Sequence, residues 1–410
     1  MHCRTLRFIV SVMVLSLGSF CSLRGETNWP GWRGPFGTGA SQAIDLPVKW
    51  NDSNVRWMVQ LPGQGQSSPV VWEDKIFLTA ADDAGGTRIV MGLDRATGEL
   101  LWQDNAWTGE PERTHPMNMF ASATCATDGE VLIAFFGRGG IHAYDLAGKK
   151  LWSRDLGLFK GPWGTAASPI IFGDLVIQNC DAEGKSSIIG LDKRTGKTTW
   201  ETPRDRLRGW STPLLVDGPE RTEVVVNGEQ GVTAYDPATG EQLWFCKGDR
   251  GRGTPTVTRH EDILIAVSGR PGDMFAMRTG GSGIVNATHE VWRTSRKAGR
   301  DLPSPIVVGD YLVVVSLRPG LATCYDAATG TELDKTRLDG NFSASPISAN
   351  GLIYIPNEAG DAFVLKPGKK LEVTAVNQMA VGDDEIFRSS ITPSGNELLI
   401  RSDRVLYCIR

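Results

Sequence analysis

The chain has 410 residues, 22% of them charged and 40% hydrophobic, with a net charge of −4. Such a length and balance are those of a globular chain with a large core and exclude an unstructured one. The mildly acidic charge excludes a global pull toward nucleic acid or an anionic membrane surface, so no nucleic-acid partner is expected.

The first residues, MHCRTLR, are basic and are followed by 13 apolar residues, FIVSVMVLSLGSF at 8–20. That stretch is short for a membrane span and fits a secretory signal peptide over residues 1–25. The expectation is an exported protein, periplasmic or extracellular, with no transmembrane segment. Cys21, which ends LGSFC, raises lipidation, but the bulky Phe20 stands where lipoprotein processing prefers a small residue. Five cysteines remain beyond residue 25: Cys125, Cys180, Cys246, Cys324 and Cys408. They are odd in number and scattered, with no adjacent or Cys-x-x-Cys pair, and read as buried free thiols. Residues 26–53 include NWPGWRGPFGTG at 28–39, too rich in Gly and Pro for regular helix or strand, and read as an extended arm packed over the rest of the molecule.

Beyond the arm, one motif recurs: GLDRATGELLW (92–102), AYDLAGKKLW (143–152), GLDKRTGKTTW (190–200) and AYDPATGEQLW (234–244). A further copy, CYDAATGTELD (324–334), keeps the turn and loses the tryptophan. The leading acids, Asp94, Asp145, Asp192, Asp236 and Asp326, are spaced by 51, 47, 44 and 90 residues, and inside the gap of 90 Arg278 takes the acid's place in FAMRTGG. A period of about 40–50 residues is that of a propeller blade. In each copy the Asp reads as a cap on the turn's backbone N–H groups and the Gly as a left-handed residue. Trp102, Trp152, Trp200 and Trp244 are expected to be buried between blades.

A second landmark is a hydroxyl residue followed by proline and a short apolar run, at Ser68-Pro69, Ser168-Pro169, Thr212-Pro213, Thr254-Pro255, Ser304-Pro305 and Ser345-Pro346. Ala123-Thr124 and Ser389-Ser390 fill the two remaining slots, giving eight strand openings, each leading to β-branched runs separated by turn residues. The last unit ends at RVLYCIR after three strands, and NVRWMVQLPG at 54–63 supplies a fourth, with Trp57 in the tryptophan position. The predicted fold is all-β: an eight-bladed β-propeller of four-stranded antiparallel blades over 54–410, closed by the N-terminal strand 54–61, which leaves no large exposed edge.

These repeats and openings resemble the pyrroloquinoline-quinone-type eight-bladed propellers over about residues 54–410. The arm's WRGP, together with LPVKW and SSPVVWEDKIF, looks like a secreted bacterial branch of that family. The resemblance implies the fold far more than the function. Similar repeats serve quinone-dependent alcohol and glucose dehydrogenases and the non-enzymatic propeller of the outer-membrane protein assembly machinery. A dehydrogenase of this type would need oxygen ligands to a metal near the axis, an Asp base and, in the alcohol branch, two adjacent cysteines. The chain has no adjacent cysteines and lacks the long insertions that build an active site above the ring. Pyrroloquinoline quinone is therefore possible as a cofactor but supported by no specific residue, and no catalytic or metal-binding residue is assigned. His142, in GIHAYD, reads as a structural histidine and His115 as a loop histidine.

The segments leading into the innermost strands of units four to six read RDRLRGWSTP, KGDRGRGTP and TSRKAGRDLPSP. They gather Arg208, Trp210, Arg250, Arg252, Arg296, Lys297 and Arg300 at one end of the channel, with Arg388 from the last unit and Trp163, Phe120, Phe342 and Phe387 in the same register. The candidate binding residues are Arg208, Trp210, Arg250, Arg252, Arg300 and Arg388. Basic and aromatic groups together suit a small anionic or planar ligand, or a protein partner, on the channel rim. The competing reading is a solvated rim paired with Asp205, Asp249 and Asp301. The expected function is a non-catalytic binding or scaffolding propeller, acting as a monomer. The alternatives are a quinone-dependent oxidoreductase with a reduced cofactor site, and a carbohydrate- or peptide-binding module.

Overall fold

The computed structural model describes residues 28–205, 208–249, 251–296 and 301–410. Its strands fall into eight sheets, each containing four antiparallel strands, arranged as an eight-bladed β-propeller. The innermost strands of blades 1 to 7 are Val70–Trp72, Ala126–Thr127, Ile170–Phe172, Leu214–Asp217, Thr258–His260, Ile306–Val308 and Ile347–Ala349. In each of these blades the next three strands follow in chain order. Blade 8 takes Thr392–Ser394, Glu397–Arg401 and Val405–Ile409 from the C-terminal end and Val55–Gln60 from the N-terminal end. Val55 lies opposite Ile409, and Gln60 opposite Val405, as the three-strand ending at Arg410 predicts.

The middle strands are buried on both faces because each blade is covered by its two neighbours. Their β-branched runs interlock between sheets: Val70, Phe77 and Val90 of blade 1 form one cluster with Leu132, Ala134 and Tyr144 of blade 2. The outermost strands alternate instead, as in Thr198–Pro203, because only one face is covered.

The hydroxyl landmark proves to be an inter-blade seam. Each innermost strand is preceded, two positions before its start, by Ser or Thr: Ser68, Thr124, Ser168, Thr212, Thr256, Ser304, Ser345 and Ser390. At six of the eight junctions the backbone N–H of one donates to the hydroxyl oxygen of the next, as from Ser68 to Thr124 (2.9 Å), Thr124 to Ser168 (3.0 Å) and Ser168 to Thr212 (3.0 Å). Ser390 N donates to Ser68 Oγ at 3.0 Å and joins the last blade to the first. Blade 5 corrects the sequence reading. Its slot is Thr256, not Thr254 before Pro255, and Thr256 N donates to Ser304 Oγ at 2.9 Å. The segment ahead is drawn across to blade 4, where Gly253 O accepts from the N–H groups of both Trp210 and Ser211, so the strand starts two residues later.

The aspartate turns are caps. Asp94 Oδ1 accepts from the N–H groups of Ala96 and Thr97, both at 2.9 Å, and Asp236 Oδ1 from Ala238 and Thr239, at 2.8 and 2.9 Å. The tryptophans dock under these turns from the blade before. Trp200 Nε1 donates to Pro237 O (3.2 Å) and Trp152 Nε1 to Lys193 O (2.8 Å). Gly240, with φ 73°, brings its backbone so close to the Trp200 ring that a Cβ there would sit 2.3 Å from it. The glycine thus provides both a left-handed turn and room for an indole. Trp200 and Trp244 are buried, whereas Trp102 and Trp152, expected to be buried, are half-exposed.

Where the motif fails, the packing changes. Blade 5 has no capped Asp turn after Met277, and Trp244 of blade 4 turns its Nε1 to the buried Glu223 Oε2 at 2.8 Å. Gly283–Ile284, in the insertion that replaces the turn, adds a parallel fifth strand beside Trp244 and Phe245. Trp292, beyond that insertion, takes the docking role against Ala327 O (3.1 Å) and Gly330. Blade 6 has Asp334 at the tryptophan position, and its Oδ2 accepts from Leu371 N at 2.8 Å.

His142 is a satisfied core histidine, with Nε2 2.7 Å from Gly139 O and Nδ1 2.9 Å from Ser153 Oγ. Burial favours its neutral form and lowers its pKa to about 4. Its contribution to stability is complete above the ordinary histidine value of about 6.5 and is lost as the pH falls toward 4, at most about 3 kcal/mol. Between pH 7 and 4, His142→Gln is therefore expected to lose less melting temperature than the wild type; equal losses would contradict this assignment. The five cysteines are buried and free, and burial raises the Cys125 thiol to about 12.

Candidate functional site

The arm determines the shape of the channel. Trp29 pairs with Val71 on blade 1, and Pro30 O accepts from Thr127 N on blade 2. Ala40–Ser41 then runs parallel to Ser348 and Ala349 on blade 7. Between these anchors the arm crosses the ring. Arg33 is buried there, donating through Nη2 to Pro305 O of blade 6 at 2.7 Å, with its guanidinium 5.8 Å from the Trp32 ring. No carboxylate pairs with it among the described residues, and burial lowers its pKa to about 9. Trp32 separates an open cleft, between the arm and blades 2 to 6, from a cup on the axis.

The cup has a volume of about 210 Å³. Its lower wall is the seam of hydroxyls, with Ser68, Ser168, Thr212, Ser304, Ser345 and Ser390 all exposed to the cavity. Its upper wall carries Trp163, Trp210, His115, Arg252, Arg270 and Arg388. His115 stacks on Trp163 with ring centroids 4.7 Å apart, and the Arg252 guanidinium lies 5.2 Å from the same indole. Trp210 is fixed by its Nε1 donating to Gly164 O at 2.8 Å. The loop between blades 1 and 2 leans over the mouth. Asn118 Nδ2 donates to Trp163 O (2.6 Å), and Pro116 O accepts from Arg388 Nη1 (3.0 Å).

Of the six candidate residues, Trp210, Arg252 and Arg388 meet in the cup. Arg208 lines an adjoining crevice and pairs with Glu183 at 2.7 Å. Arg250 and Arg300 lie outside the described residues, as does Lys297. Arg296 is tied to the buried Asp301 in a buried ion pair, which is the paired-rim alternative realised at one position. Arg388 is also paired, with Glu358 at 2.9 Å. The expected rim aromatics divide. Phe342 and Phe387 are fully buried below the rim, against Phe363 and Tyr407, and Phe120 packs on the buried Arg88 guanidinium. Trp32, His115, Gln66, Asn118 and Arg270 are additional lining residues. The hydroxyls of the lower wall carry a sequence signal, their recurrence before each innermost strand; nothing in the sequence marks Trp32 as their neighbour.

The fold and cup define a closed β-propeller with a lined cup on its axis. A family model described as outer membrane protein assembly factor BamB matches residues 45–176, 159–289 and 278–379. The chain belongs to that family. Among curated proteins, it is 26% identical over 204 residues to the outer membrane protein assembly factor BamB of Burkholderia pseudomallei, covering 47% of this chain and 48% of that protein. It thus spans about half the length of that relative. It is 26% identical over 306 residues to the protein of the same name from Shewanella oneidensis, covering 71% of this chain and 69% of the relative. Among solved structures, BamB from Moraxella catarrhalis superposes with a TM-score of 0.64 at 20% identity, covering 86% of this chain and 96% of that one. A quinohemoprotein alcohol dehydrogenase from Comamonas testosteroni superposes with a TM-score of 0.68 at 11% identity, covering 94% and 81%. At these identities the superpositions show the fold alone.

Proposed function

We propose that the chain is a non-catalytic binding or scaffolding propeller of the bacterial envelope, engaging its partner at the open end of the axial cup. The observation that supports this most strongly is the chemistry of the cup. Its described lining contains no Asp or Glu, so it offers neither a carboxylate ligand to balance a divalent metal's charge nor the carboxylate base that quinone-dependent alcohol oxidation requires. Elsewhere among the described residues, no group of three or more His, Cys, Asp or Glu is placed to hold a metal. The residues present therefore do not fit a calcium–quinone pair. Membership of a family described as an outer membrane protein assembly factor supports the scaffolding reading, and the basic and apolar segment at 1–20 supports export. No described helix is long and apolar enough to cross a membrane.

The test is reconstitution. Purified protein is incubated with pyrroloquinoline quinone and calcium, desalted, and assayed for quinone absorbance and for dye-linked alcohol oxidation. The expected result is no retained quinone and no turnover. Stoichiometric quinone with turnover would overturn the proposal. In the cell, a photo-crosslinking residue at the exposed Arg270 is expected to give a discrete protein adduct that the same residue at Asp145, in an outer turn, does not.

A further inference from the structure

We infer that the cup is a socket for a single carboxylate carried on a flat apolar group. This rests on the reading of the cup as the binding end and specifies what enters it. The first observation is the state of the hydroxyls. Ser68, Ser168, Thr212, Ser304 and Ser345 line the cup, and each oxygen already accepts a backbone N–H at 2.9–3.0 Å. Each therefore has its one proton left to give, and among the described residues no acceptor takes it. Five such donors surround one axis.

The second observation is the charge of the remaining polar groups. Gln66 and Asn118 are neutral amides whose oxygens both lie against Ser122 Oγ, at 3.1 and 2.5 Å, and its one proton goes to one acceptor at a time. His115 Nδ1 accepts from Met117 N, which leaves the Nε2 proton of the neutral ring to donate. Arg388 is held by Glu358, which also takes the Ser343 hydroxyl at 2.5 Å. Arg252 and Arg270 form no ion pair with any described residue, so two cations remain without a counter-charge at the mouth. A lining that mostly donates, carries positive charge and has no carboxylate of its own selects an anionic acceptor.

The third observation is the collar. Trp32, Trp163 and Trp210 are half-buried around the same volume, so an apolar ring beside the anion finds flat surfaces to cover. The cavity of about 210 Å³ holds an end group rather than a large ligand. Two sources carry this chemistry: a free aromatic acid, and the C-terminal residue of a protein chain.

Isothermal titration of the full chain separates them. N-acetyl-L-tryptophan is compared with its carboxamide, and a short peptide ending in phenylalanine with its C-terminal amide. The free acids are expected to bind at least about tenfold tighter than their amides, with binding that weakens as salt is added. A response limited to N-acetyl-L-tryptophan assigns the socket to free acids; a tighter response from the peptide acid assigns it to chain ends. Arg252→Gln is expected to remove the difference between acid and amide while the melting temperature stays near wild type. If Arg252→Gln fails to fold, Arg270→Gln, on an exposed side chain, makes the same comparison. Equal binding of acid and amide, or no heat from either acid, overturns the inference. If the acids fail while the Arg270 cross-link persists, only the socket is lost; quinone retention with turnover removes the underlying functional reading.

Discussion

Deleting residues 26–63 is expected to abolish the cooperative melt of the whole ring rather than loosen one blade. Three kinds of contact are lost together. The first is the closing strand: Val55–Gln60 pairs along Val405–Ile409, Leu61 N donates to Arg404 O, and Arg410 N donates to Asn54 O. Without it, Val405–Ile409 becomes an unpaired edge, which closed architectures avoid. The second is a buried apolar cluster in which Trp29, Leu46, Trp50 and Leu61 pack with residues of blades 1, 7 and 8. The third is the arm's crossing, where Arg33 donates to Pro305 O and Trp32 lies under the axis. Blade 8 still meets blade 1 through the seam, the shared apolar cluster, the Arg95 Nε to Ser394 Oγ bond at 2.8 Å and Arg401, a buried guanidinium. It donates to Ser67 O at 2.7 Å and Thr79 O at 2.9 Å, with no carboxylate partner among the described residues. Its Nη1 also donates to Ser67 Oγ at 2.5 Å, and burial lowers its pKa to about 9, which marks the site as one where a charge is held by neutral oxygens. Calorimetry and size exclusion provide the check. A deleted chain that stays monomeric and melts at the wild-type temperature would show that the arm and closing strand do not stabilise the ring.

The fold was legible because a propeller repeats its local chemistry. Asp caps, left-handed glycines and hydroxyl slots each recur with a local cause, so the period, the blade number and the closing strand could all be counted. The same counting failed where an insertion decoupled motif from geometry. In blade 5 the Thr-Pro pair at 254–255 imitates the slot that Thr256 fills, because the seam depends on which N–H faces the next hydroxyl and not on a proline. Trp292 was missed because the insertion at 280–289 separates it from the turn remnant at Arg278. The candidate site was legible only in part. Sequence register places a residue near the rim but does not say whether it points up, inward or down. Phe342 and Phe387 share the register of Trp163, yet both turn down into the core, where they pack against Gly320 and Gly360. Trp32 contributes to the cup from the far end of the chain, a contact created by the arm's crossing and carried by no periodicity. The donor character of the cup rests on the hydroxyl oxygens being already occupied, and only the seam geometry reveals that.

Trp244→Ala is expected to be the most damaging single substitution among the repeat tryptophans, and the reason is the failed turn in the next blade. Trp200 is 8% exposed and gives its indole N–H to a backbone carbonyl in a neighbouring turn. Trp244 is 0% exposed and gives its N–H to Glu223, itself fully buried. Truncating either one opens a large cavity, which typically costs about 3–5 kcal/mol. In Trp244→Ala a second cost adds to the first. Glu223 Oε1 keeps Arg221 Nε and Gly280 N, at 3.1 and 3.2 Å, but Oε2 loses the indole N–H, its one hydrogen-bond donor among the described residues, and is left unsatisfied. A buried acceptor without a partner costs about 1–3 kcal/mol more, and more still for a charged group. The expected order of destabilisation is Trp244→Ala, then Trp200→Ala, then Trp102→Ala, whose ring is half-exposed. Trp244→Phe isolates the second cost, since it retains most of the apolar volume while removing the donor. Its loss should shrink in the double variant with Glu223→Gln, where the charge left behind is gone. Denaturant unfolding of these five variants and the wild type tests the argument. A Trp244→Ala variant no less stable than Trp102→Ala, or a Trp244→Phe variant indifferent to the Glu223 change, would mean that the indole only fills space and that the buried carboxylate is held by other groups.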